Sequence, residues 1–359
     1  MQSKYTQVQF AGQDVYAGID VALKAWKVAI FLEQAFHKRL SAPADPEGLV
    51  RYLKRTFPGA SYHTAYEAGY FGFWIHEALV RLGVHSMVVN PADVPTSDKE
   101  RRTKTNRVDA FKLGRSLANG ELRGVYVPER IALEDRTLVR MRSSFVRKQT
   151  RCKCQIKALL RFYNVQHSDD LIDRYWSRAY IQWLESLTLE HDSGTFSLRV
   201  LLKELLALRG TIAELTKQIH ALAREDRYRA RVLLLHSVSG ISLMAAITFL
   251  TEIVSLDRFK NLDRLASYVG LVPGEHSTGE TEQDTGLTPR RNVALRYMLI
   301  ECAWIAQRED PVLLKAFNNY CKRMPKNVAI IHIARKLLSR MRFVLKHNQP
   351  YVPGVLSNA

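Results

Sequence analysis

Leu201, Leu205, Leu208, Ile212, Leu215, Ile219 and Leu222 recur at alternating steps of four and three through three heptads. Such a run specifies one uninterrupted helix, because only a period near 3.6 keeps these side chains on a single stripe. At about 1.5 Å per residue the run spans roughly 30 Å, the width of a small domain. A chain that carries it must therefore fold with an elongated helical part. The stripe is either a coiled-coil seam or one side of a helix packed within its own domain, with a basic helix expected over 129–162 as its partner. Either way, residues 127–228 are expected to form a helical arm between two domains, 1–126 and 229–359. Length allows this, since 359 residues suffice for more than one domain.

Before the arm the pattern is different. Val15–Asp20, Trp26–Leu32, a third stretch over 36–41, Ser61–Glu67 and His85–Asn90 read as strands, rich in apolar and β-branched residues. Helices are expected between them. One runs from Pro46 at its first turn to Pro58-Gly59, and the other over Phe73–Leu82 is closed by Gly83. The order β-β-β-α-β-α-β describes an α/β layer fold with an antiparallel start. Residues 92–106 are expected to be a mobile loop that touches nucleic acid, and Asn106–Ala118 a helix. After the arm the pattern is mainly helical: Leu243–Ile253, Leu262–Val269, Asn292–Gln307, Pro311–Met324 and Val328–His347. Val238-Ser-Gly-Ile241, between two helices, resembles a helix-hairpin-helix turn, which can offer backbone N–H groups to a phosphate. Residues 270–291 read as a loop.

The net charge is +18. Residues 99–161 hold 18 Lys/Arg against 6 Asp/Glu, and 322–346 hold 8 Lys/Arg with no acid. Blocks this dense favour a polyanionic partner. In the first block, Arg101, Arg102, Lys104, Arg107, Arg147, Lys148, Arg151 and Lys153 are the candidate nucleic-acid contacts. The first 15 residues have no apolar core and no run of about 18 apolar residues occurs, so neither a secretion signal nor a membrane span is expected. Cys152 and Cys154 are badly spaced for a disulfide or zinc. With Cys302 and Cys321 they read as reduced thiols of a cytoplasmic protein.

Three acids sit where chemistry is expected. Asp20 closes the first strand, Glu67 closes another, and Asp109 lies in the first turn of the helix that begins at Asn106. Residues 106 and 109 are three apart and share a helix face, with roughly 5–6 Å between Cβ atoms. Phosphodiester cleavage requires positive charge on the phosphoryl oxygens, and carboxylates provide it by holding Mg²⁺, a hard cation that takes oxygen ligands. Acids on strand ends and a helix start are the outline of such a site.

Tyr16-Ala-Gly-Ile-Asp20, Tyr66-Glu-Ala-Gly69, Val88-Val-Asn-Pro91 and Lys104-Thr-Asn-Arg-Val-Asp-Ala110 resemble successive motifs of the DEDD-type transposases of insertion-sequence family 110 and their Piv-like relatives. In the second half Ser237–Ser242, Leu271-Val-Pro273, His276-Ser-Thr-Gly279, Gly286-Leu-Thr288, Asn292 and Leu295-Arg296 follow the family's order. The resemblance covers roughly residues 15–310. It implies a RuvC-like, RNase H-like first domain whose four acids hold Mg²⁺, with Mn²⁺ as substitute. By position these fall on Asp20, Glu67, Asn106 and Asp109. Asn106 departs from the pattern, being neutral where an aspartate is expected. Ser277 matches the family's serine nucleophile, which would form a covalent phosphoserine bond to DNA. Pro289 and Arg291 also depart from the family's residues, while Arg290, Arg291 and Arg296 suit phosphate clamps.

The resemblance further implies DNA as donor and target, a structured guide RNA, assembly into dimers or tetramers through the arm, and residence in a bacterial or archaeal cytoplasm. The expected function is a DNA transposase or recombinase. The alternatives are an RNase H-like, Holliday-junction-type nuclease that uses water, and a nucleic-acid-binding remnant impaired at Asn106.

Overall fold

The computed structural model describes residues 9–95, 106–166, 175–274, 277–278, 281–282 and 286–353; for 106–108, 277–278 and 281–282 it describes the backbone. The chain divides into two compact units, Met1–Val127 and Pro128–Ala359.

The first unit is built on a five-stranded sheet. Its strands are β1 (Asp14–Asp20), β2 (Ala25–Leu32), β3 (Ala35–Pro43), β4 (Ser61–Glu67) and β5 (His85–Val89), in the order β3-β2-β1-β4-β5. β1, β2 and β3 pair antiparallel, while β4 runs parallel to β1 and β5 parallel to β4. Helix α1 (Pro46–Thr56) follows β3, with Asp45 accepting from the amides of Glu47 and Gly48 at its start. Helix α2 (Trp74–Arg81) links β4 to β5. The five expected strands and two helices are all present, with ends shifted by one or two residues.

Alternation along the strands sorts the sheet into two faces. Val15, Ala17 and Ile19 of β1 pack with Val28, Ile30, Tyr62 and Tyr66 against Leu49 and Leu53 of α1 and Ile75 and Leu79 of α2. The opposite face belongs to α3 (Asn106–Ala118). There the register sets Gly18 beside Ala29 on one side and Ala65 on the other, a row of minimal side chains. A Cβ on Gly18 would lie 2.2 Å from the Ala110 carbonyl oxygen and 2.2 Å from the Gly114 nitrogen. A Cβ on Gly114 would lie 2.8 Å from the Phe31 ring. Helix backbone therefore rests directly on sheet backbone, which only glycine on both sides permits.

The second unit opens with α4 (Arg130–Phe162), followed by α5 (Arg178–Ser186) and α6 (Asp192–Leu222). Cys152, Ile156 and Leu160 of α4 form a core with Leu198, Leu202, Leu205 and Leu208 of α6 and with Tyr180, Ile181 and Leu184 of α5. The two long helices run antiparallel: the Cys152 thiol donates to the Leu201 carbonyl at 3.3 Å, and Arg142 donates to the Thr216 hydroxyl at 2.8 Å. The leucine stripe of α6 thus has a partner within the chain. On α4 the run Leu138, Met141, Phe145, Cys152, Ile156 and Leu159, which the sequence places on one stripe, is not buried throughout: Met141 is exposed while Val139 and Leu160 are buried. Near α5, Tyr180 takes the fully buried position, and Trp176 and Trp183 are half-buried.

The rest of this unit is α7 (Asp226–His236), α8 (Leu243–Ile253), α9 (Leu262–Val269), the two-residue strands β6 (Ser277–Thr278) and β7 (Thr281–Glu282), α10 (Val293–Glu309), α11 (Pro311–Cys321) and α12 (Lys326–His347). Among the described residues no helix is long and apolar enough to cross a membrane. All four cysteines are free thiols.

One carboxylate lies inside this helical core. Glu252, the one charged residue of α8, is fully buried. Arg140 grips it with two hydrogen bonds of 2.6 and 2.7 Å, and the Asn292 amide donates a third at 2.8 Å. Arg136 stands 4.0 Å away and donates to the Thr251 carbonyl at 2.9 Å. Burial pushes the Glu252 pKa up, but the hydrogen bonds from Arg140 and Asn292 and the charges of Arg140 and Arg136 outweigh it and leave the pKa lowered.

Two outcomes follow from these contacts. Gly18→Ala is expected to force α3 off the sheet and to cost about 1–3 kcal/mol or more, read as a lower denaturant midpoint; an unchanged midpoint would show that the close approach is not required. Glu252→Gln removes a charge that two arginines surround, at a cost of about 3–5 kcal/mol. A depressed carboxylate stabilises above its unfolded pKa and loses that contribution as pH falls through the folded one. The urea-midpoint gap between wild type and Glu252→Gln should therefore be widest near neutrality and shrink in acid.

Candidate functional site

Two places are candidates for chemistry, one in each unit. In the first, β1 and β4 are parallel neighbours, with Ile19 opposite Tyr66. One step further on, Asp20 and Glu67 stand on adjacent strand ends, with backbones about 4.8 Å apart. Asp20 lies two residues beyond Gly18 and Glu67 two beyond Ala65, so both carboxylates point to the α3 face. Asp109 adjoins Ala110, whose carbonyl covers Gly18. Leu113, one turn on, packs with Ala65. The three acids thus belong to one face of one sheet, at the carboxyl ends of its central strands. All three are half-buried. Asn106 is the first residue of α3, one turn before Asp109.

Lys112 lies one turn along from Asp109, with its ammonium 3.9 Å from the carboxylate. Among the described residues no three His, Cys, Asp or Glu side chains converge closely enough to cage an ion. A closed cage is not what Mg²⁺ demands: it keeps several waters and uses one or two carboxylates plus phosphate oxygens. The donors available are hard carboxylate oxygens, which fits a hard divalent cation and not a soft one.

The second place is the connection between α9 and α10. Its stem is zipped by Gly274 N–H to the Gly286 carbonyl at 2.7 Å and Thr288 N–H to the Val272 carbonyl at 3.1 Å. Beyond the stem, Ser277 pairs with Glu282 and Thr278 with Thr281, an antiparallel β6–β7 hairpin. The stretch expected as a loop over 270–291 therefore carries, among its described residues, a zipped stem and two short paired strands, with Ser277 on the first. Asn292 anchors its base. The Asn292 side chain accepts from Leu295 N–H at 3.1 Å to cap α10 and donates to Glu252, so the buried carboxylate is tied to the foot of the hairpin. Glu252 was not foreseen from sequence, although a lone acid in the apolar run Leu243–Ile253 is a signal that a charged partner awaits it.

The candidate nucleic-acid contacts divide. Arg147, Lys148 and Arg151 are exposed along α4. Lys153 is half-buried, 5.4 Å over the Trp176 ring, and burial followed by the charges of Arg209 and Lys157 lowers its pKa. Arg290 and Arg291 are exposed, and Arg291 donates to the Pro289 carbonyl at 3.3 Å. Arg296 is turned inward: its guanidinium donates to the Thr288 carbonyl and packs against Gly270. Burial first, then Arg291, lowers its pKa. It braces the stem of the hairpin. Arg101, Arg102 and Lys104, with most of the expected loop over 92–106, lie outside the described residues, as does the side chain of Arg107. In the turn before α8, the Gly240 N–H donates to the Glu309 carboxylate at 3.0 Å, so that amide already has an anionic partner.

Comparison with known proteins finds matches in both units. A family model described as Transposase, of the DEDD IS110 type, matches residues 17–165, and one described as Transposase IS116/IS110/IS902 family matches residues 232–318. The protein y4qE of Sinorhizobium fredii, which bears a transposase name, is 32% identical over 301 residues, covering 81% of this chain and 72% of the relative. A second from that organism, y4rJ, is 29% identical, covering 76% of this chain and 74% of its own length. The transposase for insertion sequence element IS1111A of Coxiella burnetii is 24% identical, covering 64% of this chain and 61% of its own. A mixed α/β first unit with acids at its central strand ends, a mostly helical remainder and matches in both halves lead to one conclusion: the chain belongs to the IS110 family of DEDD transposases, enzymes that cut and rejoin DNA.

Proposed function

We propose that this transposase joins strands through a covalent phosphoserine intermediate on Ser277, with a divalent ion, Mg²⁺ or in its stead Mn²⁺, held by Asp20, Glu67 and Asp109. The observation that carries the metal half is the placement of two strand-end carboxylates and Asp109 on the same face of one sheet, the α3 face. When bound, the ion would draw charge from the phosphoryl oxygens. The carboxylates bind and orient, and Asn106 can lend a neutral carbonyl oxygen. Lys112 competes with the ion for Asp109.

The serine half rests on the hairpin, whose first strand carries Ser277 and whose zipped stem has its foot tied to Glu252. In the step proposed, a bond forms between Ser277 Oγ and phosphorus as the bond from phosphorus to a deoxyribose oxygen breaks. The serine hydroxyl gives up its proton and the released deoxyribose oxygen gains one. A later attack by a DNA hydroxyl on the phosphoserine reverses these bonds and frees the serine. No net phosphodiester energy is lost, which suits joining better than hydrolysis.

The exposed cations Arg147, Lys148 and Arg151 on α4, with Arg290 and Arg291 beside the hairpin, serve as contacts to phosphate backbones. Lys153 and Arg296 act nearer their own folds. A structured guide RNA and a dimer or tetramer complete the reading, the exposed stripe of cations on α4 being suited to a folded polyanion. The turn before α8, where the expected helix-hairpin-helix amide of Gly240 meets Glu309, would take a phosphate only by displacing that carboxylate.

Incubation of the protein with its DNA, a guide RNA and Mg²⁺, followed by denaturing electrophoresis, should reveal a protein–DNA adduct. Ser277→Ala should abolish both adduct and joined product, whereas cutting that persists without an adduct would favour a nuclease that uses water. Asn106→Asp should tighten Mn²⁺ binding about tenfold, on the order of 1.4 kcal/mol, read as a larger metal-induced rise in melting temperature. An unchanged rise would remove residue 106 from the ligand set.

A further inference from the structure

The second unit holds a cleft of about 510 Å³ between α7, α8, the loop after α8 and α12. Four cations from three of these segments line it: Arg231, Lys260, Arg342 and Lys346. Among the described residues, none of the four has a carboxylate within ion-pair distance; Arg231 donates to the Arg227 carbonyl at 2.6 Å. Asp257, the acid in the lining, accepts from the Ser255 hydroxyl at 3.1 Å. Beneath the cations the lining is apolar: Val254, Leu256 and Leu345 are half-buried, over the buried Phe249, Ile253 and Phe259. Val254 has φ 63° and ψ −61°. A β-branched residue at positive φ is strained, and such strain persists where a site is held in shape by its surroundings.

An apolar floor under a rim of unneutralised cations matches a ligand with a flat, weakly polar body and phosphates on either side. A cleft of this size falls within the range that encloses small organic ligands. We infer that this cleft seats one unpaired nucleotide of single-stranded DNA, its base against the apolar floor and its flanking phosphates on Arg231, Lys260, Arg342 and Lys346. An enzyme that cuts and rejoins DNA must handle strands that have left their duplex, and a rigid concave site for a single base would hold such a strand in register. Neither the Ser277 hairpin nor the strand-end acids contribute to the lining described, and the occupancy of the cleft depends on neither the serine nor the metal. A duplex could meet the rim but could not deliver a stacked base to the floor.

The test uses the full chain and a fluorescent twelve-nucleotide DNA single strand, with anisotropy followed over a range of salt. Removing Arg342 and Lys346 together by Ala substitution should weaken binding at least tenfold. It should also flatten the plot of log affinity against log salt by about 1.4, roughly 0.7 for each lost phosphate contact on a single strand. Replacing Lys322 and Arg323, exposed cations of the same basic stretch outside the cleft lining, should change both far less; an equal effect would overturn the proposal. With the wild-type protein, an abasic version of the strand should bind several-fold more weakly. Equal binding of abasic and intact strands would show that no base is seated. A single-stranded RNA of the same sequence that depends more strongly on Arg342 and Lys346 than the DNA does would overturn the assignment to DNA.

Discussion

The first unit depends on one contact, the helix backbone of α3 lying on the sheet backbone at Gly18 and Gly114. Strand alternation decides which side of the sheet Asp20 and Glu67 face, but not what faces them. The missing Cβ atoms do that, by letting Ala110 settle over Gly18 and bringing Asp109, its neighbour, to the acids' side. The carboxylates come from residues far apart in sequence, and a helix displaced by one methyl group would move Asp109 without altering the fold around it. Geometry of this kind explains how a site can be assembled on rigid elements with no loop holding its acids.

Glu252 plays the matching part in the second unit. A buried carboxylate is costly unless its oxygens are filled, and here Arg140 and Asn292 fill them. The same asparagine caps α10, so one side chain joins the charged core, a helix start and the foot of the Ser277 hairpin. Arg296 braces the other side of that foot through the Thr288 carbonyl. The outgoing side of the stem is thereby held at two points, Thr288 and Asn292.

Much of this was legible in sequence, for physical reasons that differ by region. Strands ending at Asp20 and Glu67 announce themselves by alternation, and the α6 leucines by their period. Helices Leu243–Ile253 and Leu262–Val269 have the expected bounds, each started by a polar cap, Ser242 and Asn261. The face shared by the acids was only half readable. Gly18 inside a strand and Gly114 inside a helix each signal close approach, but only the fold pairs them. Glu252 with Arg140 is a contact across 112 residues, and local pattern holds no information about such partners. On α4 the apolar stripe drifts, leaving Met141 exposed and Val139 buried, because that helix packs on α6 along one stretch and on the α8 core along another.

The distribution of charge joins these points. With Lys and Arg at 53 against 35 acids, the chain repels itself. Several of its acids are withdrawn into the interior as counter-ions. Glu252 binds Arg140; Asp135 takes Arg227 at 3.0 Å and the Tyr228 hydroxyl at 2.9 Å; Asp310 holds Arg340 at 3.1 Å and the Tyr351 hydroxyl at 2.8 Å. Each neutralises an arginine where low dielectric makes pairing strong. The corollary is that acids spent inside are missing outside, so among the described residues the cations Arg147, Lys148 and Arg151 of α4 and those of the α12 cleft stand with few anionic neighbours. Internal pairing thus stabilises the helical core and leaves its surface short of negative charge, a deficit that a nucleic acid is suited to supply.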